Sequence, residues 1–215
     1  MLQTKLKGIC LGGWLMMEGY MLGGRNIPES VFKSNLAKLF GQDFVPEFTK
    51  KFRENFITDE DFSRIKKLGF NCVRLPFNYR LLEEPAGFDY LKRTVKALAD
   101  NQLYVILDLH AVPGSQNPDW HSDSSGQALF WQEEKYRRQF ISLWEKLAET
   151  FKGDEWVAGY DIMNEAVTNN TDLLRAVYQQ TIEAIRWTGD RHTIFLEGNN
   201  YAREIEFLEG VEGEN

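Results

Sequence analysis

Asn164 and Glu165 end an apolar run, Val157-Ala-Gly-Tyr-Asp-Ile-Met-Asn-Glu-Ala166. The run predicts a buried strand over 157–163, closed by an amide and a carboxylic acid. A glutamate at the C-terminal tip of a parallel strand sits where an α/β barrel gathers its chemistry, because the βα loops form a cleft there. Desolvation by Met163 and Ala166 would raise the proton affinity of Glu165, as a general acid working near neutral pH requires. The bland alternative is a helix N-terminus, with Asn164 as cap and Glu165 complementing the dipole. Other polar residues fall at predicted strand ends in the same way: Arg74, His110 and Glu197.

The elements that must position these residues alternate along the chain. Lys7-Gly-Ile-Cys-Leu-Gly-Gly-Trp14 reads as a first strand closed by a glycine pair. The segment 15–57 is too long for a bare connection and too small for its own core, so it reads as an elaborated βα loop with helices near 30–40 and 44–56. Thr58-Asp-Glu-Asp61 resembles a capping box opening a helix that stops at Gly69. A second strand follows over 71–77, a helix over 89–100, and a third strand over 103–110, continuously apolar as in a sheet covered on both faces. A polar loop, 111–125, leads to one long helix over 127–151. The organising strand comes next, then a helix over 172–187 and a fifth strand over 193–197. This order implies parallel βαβ units with right-handed crossovers. No Gly-x-Gly-x-x-Gly or phosphate-binding loop follows a strand, so the reading is a (β/α)8 TIM barrel, present as about five βα units of one domain over 1–215.

Composition narrows the function classes. With 215 residues, 43% hydrophobic content and a net charge of −7, the chain suits a folded domain with a sizeable core and lacks the basic face of a nucleic-acid binder. Cys10 and Cys72 lie in strand-like runs without metal-ligand spacing and read as buried free thiols. No segment is long and apolar enough to span a membrane. The N-terminus lacks the features of a signal peptide, so the chain reads as cytoplasmic as written, or secreted if a leader has been removed.

Five motifs in register, Gly12-Gly-Trp14, Asn71-x-Val-Arg-Leu-Pro-Phe77, Asp108-Leu-His110 with Pro113-Gly-Ser-Gln-Asn117, Met163-Asn-Glu165 and Phe195-Leu-Glu-Gly-Asn199, resemble the family-five glycoside hydrolases, in particular their exo-β-glucanase and cellulase branches. The resemblance implies retaining hydrolysis of β-linked glucans or oligosaccharides, with no metal or organic cofactor. It implies that Glu165 is the general acid/base and that Asn164 bonds the sugar 2-hydroxyl. Arg74 must hold a carboxylate inside a narrow barrel, by resemblance the nucleophile. His110 is either a satisfied core histidine or a substrate contact. Trp14, Trp120 and Trp131 are each a sugar platform or packing. Glu197 orders the site or contacts sugar, and His121 and His192 read as loop residues without a role. The family pattern places the nucleophilic glutamate on a seventh strand, so the chain reads as the N-terminal five-eighths of such an enzyme. In isolation it would be inactive, and would self-associate or pair with a complementing C-terminal segment. Two rival classes are a metal-dependent barrel hydrolase using Asp108, His110, Asp161 and His192, and a non-catalytic carbohydrate-binding barrel.

Overall fold

The computed structural model describes residues 4–209 and Val211. Five parallel strands run in chain order across one sheet among the described residues: β1 (Gly8–Cys10), β2 (Cys72–Asn78), β3 (Tyr104–Ala111), β4 (Val157–Asp161) and β5 (Thr193–Phe195). Sequential parallel neighbours with helical crossovers are what barrel staves require. All five strands start or stop within a few residues of the predicted bounds. β1, β4 and β5 end earlier than predicted, at Cys10, Asp161 and Phe195.

Register explains the two faces. Arg74 pairs with Cys10 and Ile106, and Asp108 with Asp161, so these side chains share the inner face. Val73, Leu75, Phe77, Val105, Leu107, Leu109 and Tyr160 alternate with them on the outer face and are buried. The helices α3 (Asp59–Lys67), α5 (Gly87–Asp100), α7 (Glu134–Phe151) and α8 (Thr171–Trp187) supply its cover, through residues such as Phe62, Leu91, Trp144 and Tyr178. The inner face is different: Cys10, Thr193 and Phe195 are exposed and Arg74 and Ile106 half-buried. The C-terminal half of β3 is buried on both faces, with Asp108 and His110 inward and Leu107 and Leu109 outward, while its inward Tyr104 and Ile106 are only half-buried. The expectation of a buried Cys10 is corrected, since it is exposed on that inner face, while Cys72 is buried.

The elaborated first loop carries α1 (Glu29–Phe40) and α2 (Phe44–Phe56). It is fastened to the sheet where Leu15 runs beside Phe77 and its carbonyl accepts the Asn78 N–H at 3.1 Å. The capping box at Thr58 forms, with Asp61 as the reciprocal partner. The predicted long helix breaks at Glu133 into α6 (Leu129–Gln132) and α7, and a short helix not predicted from sequence, α4 (Tyr79–Glu83), joins β2 to α5. No helix among the described residues is long and apolar enough to cross a membrane.

Candidate active site

Arg74 anchors the inner face at the C-terminal end of the sheet. Its guanidinium meets Asp108 Oδ2 at 2.9 Å, Asp161 Oδ2 at 2.8 Å, Asn164 Oδ1 at 2.9 Å and Glu197 Oε1 at 3.0 Å. Burial opposes the positive charge, but Asp108 and Asp161, then Glu197, outweigh it and hold Arg74 more firmly protonated than a free arginine. One cation cannot neutralise three carboxylates. Asp161 is pushed up to about 8 by burial first, then by the charges of Asp108 and Glu197. The carboxylates that Arg74 holds thus come from β3, β4 and the tip of β5.

Asn164 is buried, with its oxygen tied to Arg74, and its Nδ2 has no hydrogen-bond partner among the described residues. A buried amide donor without a partner is costly unless something else is there to accept from it. Glu165 follows in a left-handed backbone conformation, φ +48°, rare for a non-glycine residue. Its N–H donates to Glu197 Oε2 at 2.7 Å and its carbonyl accepts from Asn117 Nδ2 at 2.9 Å. The strain is held from both sides. Its side chain is 40% exposed, whereas Met163 and Ala166 turn into the core, so the expected desolvation of Glu165 by those neighbours is corrected. Both Glu197 oxygens are engaged, and its carboxyl is raised by burial first and by the charges of Asp108 and Glu165, against the Glu165 N–H and Arg74.

His110 is buried with Nδ1 2.8 Å from Asp108 Oδ2, so one ring nitrogen is satisfied by the protein. Its Nε2 lies 3.9 Å from Glu18 Oε1. Burial pulls its proton affinity down, but Asp108 and then Glu18 overcome that and leave it raised. Glu18 belongs to the site and was missed from sequence. It is buried, and desolvation raises its carboxyl against the pull of His110. A glutamate four residues after Gly12-Gly-Trp14 was the available signal.

Trp14 is corrected to packing: it is 4% exposed, its ring lies 6.1 Å from Phe62, and its Nε1 donates to the Arg53 carbonyl. Trp131 likewise donates to the Gln116 carbonyl at 2.8 Å. Trp120 stands half-buried at the rim in an edge contact with Tyr20. His121, assigned no role from sequence, has Nε2 3.6 Å from Glu165 Oε2. The metal set Asp108, His110, Asp161 and His192 is not brought together. His192 lies at the opposite end of the sheet, where it contacts Asp190, Tyr160 and the Asp154 carbonyl.

Residues 34–210 match the sequence profile of Cellulase (glycosyl hydrolase family 5). The chain belongs to glycosyl hydrolase family 5. A beta-xylosidase of Phanerodontia chrysosporium is 39% identical over 209 residues, covering 93% of this chain and 44% of that protein. A probable glucan 1,3-beta-glucosidase A of Aspergillus terreus is 30% identical over 208 residues, covering 90% and 50%. The Pseudomonas stutzeri endoglucanase Cel5A in complex with cellobiose superposes with a TM-score of 0.57 at 27% identity, covering 73% of this chain and 47% of that one. The chain spans about half the length of the curated relatives it matches. Within glycosyl hydrolase family 5 the fold is a (β/α)8 barrel, and the five-stranded parallel sheet described here is consistent with an incomplete barrel.

Proposed function

We propose that this chain carries the acid/base half of a retaining glycoside hydrolase acting on β-glucosidic bonds of glucans or oligosaccharides. The observation that carries the reading is the pair at the β4 tip: a buried, unpartnered Asn164 Nδ2 beside the half-exposed carboxyl of Glu165. A sugar 2-hydroxyl oxygen accepts from Asn164 Nδ2, which holds that ring beside Glu165. Glu165 gives its proton to the departing glycosidic oxygen and later takes one from water. The relatives' printed activities, beta-xylosidase and glucan 1,3-beta-glucosidase, support a glycoside as substrate.

Retention needs a second carboxylate about 5–5.5 Å from the acid. Glu197 reads as a positioning group, one oxygen on Arg74 and the other on the Glu165 N–H it holds in place. The reading assigns the nucleophile to a segment other than the described residues. Arg74 keeps Asp108, Asp161 and Glu197 in place, and His110 and Glu18 present a polar wall to the sugar.

Glu165→Gln tests the reading in the barrel that contains this chain. It lowers turnover by about 10²–10⁴-fold on substrates whose leaving group needs protonation. The loss shrinks on aryl glycosides with acidic leaving groups, and azide restores turnover by replacing the activated water. Equal losses on both substrate kinds remove Glu165 from the role.

A further inference from the structure

Glu165 is fixed through its backbone by Glu197 and Asn117, yet its carboxyl is 40% exposed and has no comparable anchor. An acid/base must point one way at the moment of transfer. The ring that reaches it is that of His121, 3.6 Å from Nε2 to Oε2, just beyond hydrogen-bonding length and closed by a small turn of the Glu165 side chain. The His121 ring is itself held. It is 14% exposed and lies 5.5 Å from the Trp120 ring, 6.3 Å from Tyr201 and 6.4 Å from His110. Tyr201 is tied down in turn, its hydroxyl donating to Asp119 Oδ2 at 2.6 Å.

We propose that His121 is a positioning residue for Glu165, orienting its carboxyl toward the leaving group through a hydrogen bond that either protonation state can form. A neutral imidazole nitrogen accepts from a carboxylic acid, and the other tautomer donates to a carboxylate. The groups facing the ring are Glu165 from the β4 tip, Asp119 on its own loop at 3.8 Å, His110 at the end of β3 and Tyr201 from the turn after β5. Glu18 stands beyond His110. Burial among these rings disfavours the cation first, Glu165 opposes that, and the net effect is a histidine held below its ordinary value and therefore neutral near pH 7. The catalytic consequence rests on Glu165 being the acid/base; the contact does not.

Both parts are separable by experiment. Hydrogen–deuterium exchange at the imidazole C2, read by mass spectrometry across pH, titrates each of the three histidines of the 215-residue chain. Glu165→Gln removes the charge that opposes burial, so the His121 midpoint falls, while His192 at the far end of the sheet stays and reports an intact fold. Glu165→Asp draws the charge back and gives a smaller fall. An unmoved His121 midpoint with an unmoved His192 overturns the proposal. In the barrel that turns over, His121→Ala shifts the limb of the kcat/KM pH profile that belongs to Glu165, and His121→Gln moves it back toward the parent. A limb indifferent to His121 also overturns it. Loss of the Glu165 signature in turnover, with the His121 coupling present, overturns the hydrolase reading instead.

Discussion

Arg74 shows why residue types at strand ends do not by themselves reveal their partners. A buried guanidinium demands carboxylates, and that much follows from the sequence. Which carboxylates depends on register, since Asp108 and Asp161 become neighbours only when β3 and β4 pair in parallel. The crowding has a consequence for stability. Asp161 is raised to about 8 in the fold, against an ordinary carboxylate value near 4 when unfolded. Between those values the folded chain holds a proton that the unfolded chain has lost. Its contribution is thus fully present below about pH 4 and disappears as pH rises through about 8. Asp161→Asn keeps the shape and cannot ionise. Urea midpoints from pH 4 to 9 should show this variant gaining on the parent as pH rises. A difference constant across that range would show that Asp161 ionises normally. At this scale Asn164, Glu165, Arg74, His110 and Glu197 were legible and do converge. Glu18 and His121 were not, because each acquires its partner from a distant segment, His121 from 44 positions away in sequence and Glu18 from 92, at His110.

The loop after β3 is an element without regular structure that does the work of one. Gln116 is fully buried; its amide donates to the carbonyls of His110 and Asn164 and its oxygen accepts the Val112 N–H. It therefore staples the β3 tip to the β4 tip, and the adjacent Asn117 extends the staple to Glu165. Gly114 makes the turn possible: its φ is +75°, and a Cβ there would lie 2.4 Å from the Tyr136 ring. Gln116→Leu has similar bulk but strands those backbone groups. The expected loss is about 3 kcal/mol, measured by denaturant unfolding. A loss under about 1 kcal/mol would mean water replaces the amide without strain. The helix predicted near 44–56 forms over those residues as α2 without a side-chain cap, and the Thr58 box opens α3. The break, where Glu133 takes extended backbone angles, carries no glycine or proline in the sequence to announce it.

For the whole molecule, the decisive asymmetry is between the two faces of the sheet. Helices cover the outer face over β2, β3 and β4, while β1 and β5 each pair on one side only among the described residues and present exposed positions. Ile9 is 38% and Phe195 37% exposed, on opposite edges. A closed barrel has no edges; an open parallel sheet offers two rows of backbone donors and acceptors to any strand nearby. Neither edge strand carries a lysine to discourage pairing. The 215-residue chain by itself should therefore associate reversibly, with sedimentation coefficients that rise with concentration. Ile9→Lys places a charge on one edge and should lower that association without disturbing the helices. A polypeptide supplying the complementary strands of a family-five barrel should suppress it altogether, because it would satisfy both edges and the inner face at once. If sedimentation shows a monomer at all concentrations, the edges are protected by their own twist and shortness. The complementing segment would then have little to gain by binding.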